Sequence, residues 1–140
     1  MDEELGLEKL DLSLFVKDKE IRDFITNIKA TRLPNSPRFN YFELNGKILI
    51  VKISRSEKPF FGVKKDYIDS LNDSKYDYFL ILLVSGSEGW LYSKTEINNN
   101  IKNGTWKLRE KDDNYKINYY TLKDKNLFTS TAQFLDKLLL

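Results

Sequence analysis

The sequence contains no cysteine and no histidine among its 140 residues. Without cysteine, disulfide bonds and thiol chemistry are excluded. Without histidine, the chain lacks the commonest general base, the commonest transition-metal ligand and the side chain that titrates near neutral pH. A zinc site or a Ser-His-Asp triad is therefore out of reach. Any bound metal would have to be a hard cation such as Mg²⁺, held by Asp or Glu oxygens.

The chain also lacks a long apolar run and a recognisable leader. Its longest apolar run, residues 79–84, suits a buried strand and is much shorter than the roughly 20 residues of a membrane span. Residues 1–15 are acidic and do not have the pattern of a signal peptide. We therefore expect a soluble, cytoplasmic protein without membrane contacts. The length fits one domain over residues 1–140.

Aromatic residues are abundant, at 14%, and charge is unevenly distributed. The net charge is only +2, yet residues 28–65 carry nine Lys or Arg against two Glu, whereas residues 1–27 carry four against eight Asp or Glu. A basic block of this kind points to an anionic partner, here DNA or RNA. The alternative is a solvated basic face balanced by the acidic N-terminal segment. Aromatic rings fill cores, and they also stack on unpaired bases.

The strongest local signal is a β-hairpin over residues 39–54. Two runs of alternating residues flank Asn45-Gly46, the preferred pair for a two-residue type I′ turn. This turn sets a register in which Leu44 pairs with Lys47. The hairpin runs into a basic, aromatic segment.

Periodicity and turn residues predict the remaining elements. Before the hairpin we expect a helix over residues 17–30, with Ile21, Phe24, Ile25 and Ile28 on its apolar face. After it we expect a loop at 55–62, a helix at 63–71, strands at 76–85 and 90–93, a helix at 94–102, strands at 106–108 and 115–120, and a last helix from near Ser130, with Phe134, Leu135, Leu138 and Leu139 inward. The predicted fold is a single α+β domain, or α/β with a mixed sheet, in which helices flank a central hairpin and sheet.

The order helix, hairpin, helix, strand over roughly residues 17–95 resembles the core of the restriction-endonuclease-like PD-(D/E)XK nuclease family. In that family an acid at the start of the hairpin and a (D/E)-x-K motif on its second strand bind a divalent metal. The matching stretch here is Ile50-Val51-Lys52, with the lysine present and isoleucine in place of the acid. Glu43 lies four cross-strand pairs along the hairpin from Lys52. At about 3.3 Å per residue this is roughly 13 Å, too far for the two side chains to share one metal. The resemblance implies a nuclease-like core with a degenerate or absent metal site, Lys52 as the candidate catalytic residue, and Mg²⁺ if the protein is catalytic.

A second feature is the segment from Lys52 to Lys65, in which cations lie on both sides of two adjacent phenylalanines. Cations bind phosphates, and an exposed ring stacks on an unpaired base. Alternatively, the two rings fix the loop to the core and the lysines are only solvated. The candidate nucleic-acid-binding residues are Arg38, Lys52, Arg55, Lys58, Phe60, Phe61, Lys64 and Lys65.

Three functions follow from these features. The first, which we expect, is a nucleic-acid-binding protein with a nuclease-like core and a degenerate or absent metal site. The second is a Mg²⁺-dependent endonuclease that uses carboxylates from elsewhere, such as Glu20 or Asp23. The third is a non-enzymatic protein-interaction module that uses Trp90 or Trp106. The strand at 115–120 could also form a free edge that pairs with a second copy in a homodimer.

Overall fold

The computed structural model describes residues 18–32 and 41–139, which contain four helices and nine strands. The helices are α1 (Lys19–Ile28), α2 (Lys65–Asp73), α3 (Lys94–Lys102) and α4 (Thr131–Leu139). The strands are β1 (Thr31–Arg32), β2 (Tyr41–Leu44), β3 (Lys47–Ile53), β4 (Phe61–Lys64), β5 (Tyr78–Leu83), β6 (Gly89–Ser93), β7 (Lys107–Arg109), β8 (Asn114–Ile117) and β9 (Leu127–Phe128). None of these helices is long and apolar enough to cross a membrane.

The strands form two sheets. The large sheet has the order β1-β2-β3-β5-β6-β9, and only its β3–β5 pair is parallel. The small sheet has the order β4-β8-β7 and is antiparallel throughout. The mixed sheet with separate helices confirms the predicted α+β class.

The hairpin register is confirmed where the strands are described. Asn45 and Gly46 have φ values of 52° and 80°, the left-handed conformation that a type I′ turn requires at both positions. Leu44 pairs with Lys47. Glu43 also steadies the turn by accepting the Gly46 N–H at 2.5 Å. The same register predicts that Phe39 pairs with Lys52, but Phe39 lies outside the described residues, as does Arg38.

The large sheet separates two apolar cores. Helices α1 and α4 cover one face, and the predicted inward positions of α1 are all buried there. Helices α2 and α3 and the small sheet cover the other face. In α4, Phe134 and Leu138 are buried and Leu135 is partly buried as expected, but Leu139 is exposed, which corrects that prediction. The spacing of Ser93 and Glu96 in the sequence predicts a capping box at the start of α3, and the structure confirms it, with the two residues bonded reciprocally.

Residues 61–64 form a strand, where the sequence predicts a loop followed by the start of a helix. Phe61 and Val63 alternate into the core and pair with Ile117 and Tyr115. Helix α2 consequently begins at Lys65 instead of at residue 63. Pairing with β8 decides between a strand and the start of a helix here, because four residues are too few for their periodicity to distinguish the two.

The predicted strand at 115–120 is also corrected. It ends at Ile117, and Tyr119–Thr121 form a 3₁₀ turn. Strand β8 lies between β4 and β7, so both of its edges are already paired. It therefore offers no free edge to a second copy.

Tyr92 gives the fold a measurable response to high pH. It lies in the core next to the small sheet, and its hydroxyl accepts the Lys123 N–H at 3.3 Å. Burial raises the pKa of Tyr92 from 10.0 to about 12. Because the folded-state pKa lies above the unfolded value, the stability tied to this group is complete below the unfolded pKa. It is lost as the pH rises through the folded pKa.

We therefore expect Tyr92→Phe to gain about 2 kcal/mol of unfolding free energy relative to wild type between pH 9 and roughly pH 11.5. Urea unfolding of both proteins across this range measures the difference. All other ionisable side chains are common to both proteins, so their contribution cancels in the difference. A difference that stays constant with pH would contradict the expectation.

Candidate nucleic-acid interface

Lys52 lies on the large-sheet face that α1 does not cover. Along β3, Ile50 belongs to the core next to the small sheet and Val51 to the core next to α1. Alternation therefore places Lys52 on the same face as Ile50. Glu20 and Asp23 are on α1, on the opposite side of the sheet. The fold does not bring these carboxylates to the candidate catalytic lysine.

The described residues do not assemble a Mg²⁺ site. No group of three or more acidic side chains that could hold a metal ion occurs within residues 18–32 and 41–139. The Glu20 carboxylate accepts the backbone N–H of Gly86, so it serves to join α1 to the turn after β5. Within these ranges the donor set does not fit the cation that the nuclease resemblance implies.

Arg55 and Lys65 are held in local ion pairs. The Arg55 guanidinium lies 2.6 Å from Asp18, the residue that caps α1. Burial tends to raise the pKa of Asp18, but the hydrogen bonds from Arg55 and the Ile21 N–H outweigh it and lower that pKa. Lys65 pairs with Asp69 at 2.5 Å along α2. Both predicted phosphate contacts therefore have part of their charge neutralised within the protein.

The loop after β3 presents one of the two predicted rings. The Ser54 hydroxyl accepts the N–H groups of Ser56 and Phe60, both at 3.4 Å, and this folds the loop back on itself. Phe60 is 60% exposed, whereas Phe61 is 3% exposed and belongs to the core. Phe61 therefore cannot stack on a base, which corrects its predicted role. Phe60 and the exposed Lys58 remain on the surface.

The outward side of the small sheet carries four cations. Phe61, Val63, Leu108, Tyr115 and Ile117 face or pack against the core, so the residues between and beside them face outward. We call this surface the basic sheet face, and it comprises Gly62, Lys64, Lys107, Arg109, Asn114 and Lys116. Of the predicted binding residues, Lys64 lies on it.

Two lysines of the basic sheet face lie directly opposite each other. Lys107 pairs in register with Lys116, and Gly62 is opposite Lys116 on the other side. Like charges at directly opposed positions destabilise a sheet. Lys116 is partly compensated by Asp112 at 3.0 Å, whereas Lys107 has no ion pair within the described part of the chain. An anion bound between the two ammonium groups would relieve their repulsion.

The two ends of the basic sheet face differ in character. The turn at residues 110–113 contains three carboxylates and one lysine. The hydrogen bond from Lys116 lowers the pKa of Asp112, which therefore stays ionised at neutral pH. Lys64 donates a hydrogen bond to the Asp112 carbonyl at 3.4 Å. This end of the basic sheet face is polar, and two of its lysines are already bonded to Asp112.

Exposed rings border the opposite end. Tyr119 and Tyr120 are 45% and 71% exposed, and their ring centres lie 5.5 Å apart in an edge-to-face arrangement. The Lys58 ammonium lies 5.5 Å from the centre of the Tyr119 ring. Phe60 immediately precedes the Phe61–Ile117 pair, so it lies at the same end of the sheet. Phe60, Tyr119 and Tyr120 form what we call the aromatic end.

A hollow of about 280 Å³ connects the basic sheet face to the aromatic end. Within the part of the chain that the structure describes, its lining includes both opposed lysines and no carboxylate, and consists of Gly104, Thr105, Lys107, Lys116, Asn118, Tyr120 and Thr121. Hydroxyl and amide groups beside ammonium groups suit the oxygens of a phosphate. The hollow combines donors for an anion with an aromatic wall.

Reasoning from the sequence missed Lys107, Lys116, Tyr119 and Tyr120 as members of one surface. A usable signal was present in the alternation of Lys107, Leu108 and Arg109, which puts two cations on the same strand face. The partner-surface prediction for Trp106 is corrected, because this side chain is 2% exposed and packs edge-on against Tyr92. Trp90 is partly buried against the same core.

Comparison of the chain with protein-family models, curated proteins and solved structures finds no match. The structure has α1, the β2–β3 hairpin, α2 and β5 in the order on which the nuclease resemblance rests, but β1 precedes the hairpin and β4 separates it from α2, so a restriction-endonuclease-like core is not confirmed. Element order without a matching motif does not establish the family.

Proposed function

We propose that the protein binds nucleic acid through the basic sheet face and the adjoining hollow. The observation that carries this proposal is the opposed pair Lys107 and Lys116 beside a hollow to which the described residues contribute no carboxylate. Phosphate groups are recognised by Lys and Arg charges and by neutral donors around them. The same surface satisfies both requirements.

The spacing of the cations favours a polyanion over a single small anion. Outward residues lie about 5 Å apart across neighbouring strands and about 7 Å apart along one strand. The cations on β4, β7 and β8 therefore cover an area that several phosphates of one polymer can contact. A single phosphate would contact only two of the cations and leave the others without a phosphate contact.

Binding rather than cleavage is the function that the site chemistry supports. Lys52 and the α1 carboxylates lie on different faces of the large sheet. The basic sheet face itself carries no carboxylate to activate water or to hold a cation. The nuclease-like core and the possible Mg²⁺-dependent activity stay predictions that the experiment below also tests.

Salt dependence gives the direct test. We expect wild-type protein to bind DNA or RNA oligonucleotides at about 50 mM salt, with log affinity falling linearly against log salt concentration. Lys107→Gln should weaken binding to every sequence and reduce the magnitude of the slope by about 0.7–0.9, because one phosphate contact is lost. Fluorescence anisotropy on labelled single strands and duplexes measures both quantities.

Lys137→Gln is the matched control, because Lys137 is on α4 on the opposite face of the large sheet. Its slope should equal that of wild type. Absence of binding to any oligonucleotide at about 50 mM salt would overturn the proposal. An equal loss of slope in both variants would also contradict it, since the attraction would then be diffuse. Strand cleavage that requires Mg²⁺ and disappears in Lys52→Ala would favour the nuclease instead.

A further inference from the structure

We infer that the bound nucleic acid is single-stranded, with unpaired bases stacked on the aromatic end while the phosphates lie on the basic sheet face. This inference rests on the proposed function and specifies its ligand. The observation behind it is the position of exposed rings beside the opposed lysines, which a purely electrostatic binder of duplexes would not need.

The exposed rings are concentrated at one place. Among the described residues, five large hydrophobic side chains are exposed, and three of them form the aromatic end. Isolated exposed apolar residues are normal on a protein surface, but a contiguous group next to a polar hollow marks a binding surface. Tyr120, the most exposed of the five, also lines the hollow with both opposed lysines. The side chains of one tyrosine and two lysines thus border one space.

Local hydrogen bonds order the turn that carries Tyr119 and Tyr120, and orient the Tyr120 ring, before any ligand binds. The backbone N–H groups of Thr121 and Leu122 donate to the Asn118 and Tyr119 carbonyls and close the 3₁₀ turn. The Asn118 side-chain amide donates to the Tyr120 hydroxyl at 3.2 Å. Side chains held in this way lose little conformational freedom on binding.

The two tyrosine rings have different surroundings. Lys58 lies over Tyr119, whereas Tyr120 has no cation over its ring within the described ranges. The ring planes are nearly perpendicular, at 82°. Two bases that stacked face to face on these rings would therefore lie in different planes, as successive bases of a flexible single strand can. Bases in a duplex are parallel and stacked on each other, so they cannot do this without unpairing.

Stacking should therefore separate single strands from duplexes. Each base stacked on an aromatic side chain contributes a factor of roughly 5 to 150 in affinity. A duplex presents phosphates to the lysines but no free base face to the rings. The rings should therefore contribute to the affinity for single strands and leave the affinity for duplexes almost unchanged.

The test compares a single-stranded oligonucleotide with the duplex of the same length and sequence, at one salt concentration. We expect Tyr120→Ala to lower single-strand affinity roughly 5- to 150-fold and duplex affinity by less than about 2-fold. Tyr120→Phe should retain most of the single-strand affinity, because it keeps the ring and loses only the hydrogen bond from Asn118. Tyr76→Ala is the matched control, since Tyr76 is also an exposed ring with a lysine nearby but precedes β5, away from the small sheet. It should bind like wild type.

Circular dichroism verifies that the variants fold, which the exposure of Tyr120 makes the expected result. The inference is overturned if Tyr120→Ala lowers both affinities equally or neither, or if wild type binds the duplex as tightly as the single strand. In those cases binding that depends on Lys107 would leave the proposed function standing. Failure of wild type to bind any nucleic acid would overturn both.

Discussion

Gly89→Ala should be among the most destabilising substitutions in this protein, costing about 3 kcal/mol or more of unfolding free energy. Gly89 begins β6, where it pairs with Leu83 on one side and Phe128 on the other. A Cβ atom at this position would overlap the Leu82 carbonyl oxygen and lie 2.9 Å from the Leu83 Cα. Both are backbone atoms of the buried strand β5. Relief would require separating two central strands of the large sheet.

Gly62→Ala is the matched control for this prediction. Gly62 is also a strand glycine, but the nearest atom to its added Cβ is the Lys116 Nζ at 3.7 Å, an ordinary contact. Its stability should change by less than about 1 kcal/mol. Urea midpoints at constant slope compare the two variants. Equal losses would show that the crowding at Gly89 is absorbed by the sheet.

Trp106→Ala should cost about 3–5 kcal/mol, the usual range for removing a buried tryptophan. The ring fills the core next to the small sheet and lies edge-on to Tyr92, with ring centres 4.9 Å apart. Its removal would leave a cavity beneath the start of β7. Because β7 carries Lys107, we also expect weaker nucleic-acid binding by this variant.

Trp106→Phe separates packing from hydrogen bonding at the same position. The Trp106 Nε1 is buried without a hydrogen-bond partner among the described residues. Replacement by phenylalanine therefore removes buried volume but no hydrogen bond. It should lower the unfolding free energy clearly less than replacement by alanine. Denaturant unfolding of both variants measures the difference. Equal costs would mean either that the indole N–H has a partner or that the cavity collapses.

The features predicted correctly from the sequence are those set by neighbouring residues. Helix α1 follows from four apolar positions on one face, and the hairpin register follows from Asn45-Gly46. The capping box of α3 is likewise a four-residue pattern. Such patterns need no distant partner to select the structure.

Strand β4 shows why other features of the fold could not be predicted from the sequence. Residues 61–64 become a strand because β8, about fifty positions later in the chain, covers them. A run of four residues contains too little periodicity to distinguish this outcome from a helix start. The shift of α2 by two residues is a direct consequence.

The binding surface was not predicted for a related reason, because the distribution of charge along the chain does not show which cations lie together in the fold. The basic block at 28–65 contains Arg55 and Lys65, which the fold pairs with Asp18 and Asp69. Lys107 and Lys116 come from a segment with slightly more acids than bases, yet the sheet sets them side by side. A surface potential depends on which strands are neighbours, and topology alone decides that.

Strand β4 and helix α2 together form the connection between the parallel strands β3 and β5. The small sheet is therefore built on a crossover of the main fold and is not an appended module. Deleting the hairpin of β7 and β8 would uncover Phe61 and Val63 on an unpaired edge, a template for aggregation. The strands that carry the surface we assign to ligand binding thus also act as a protective cover for the fold, so the binding side chains can be substituted singly but the hairpin of β7 and β8 cannot be deleted.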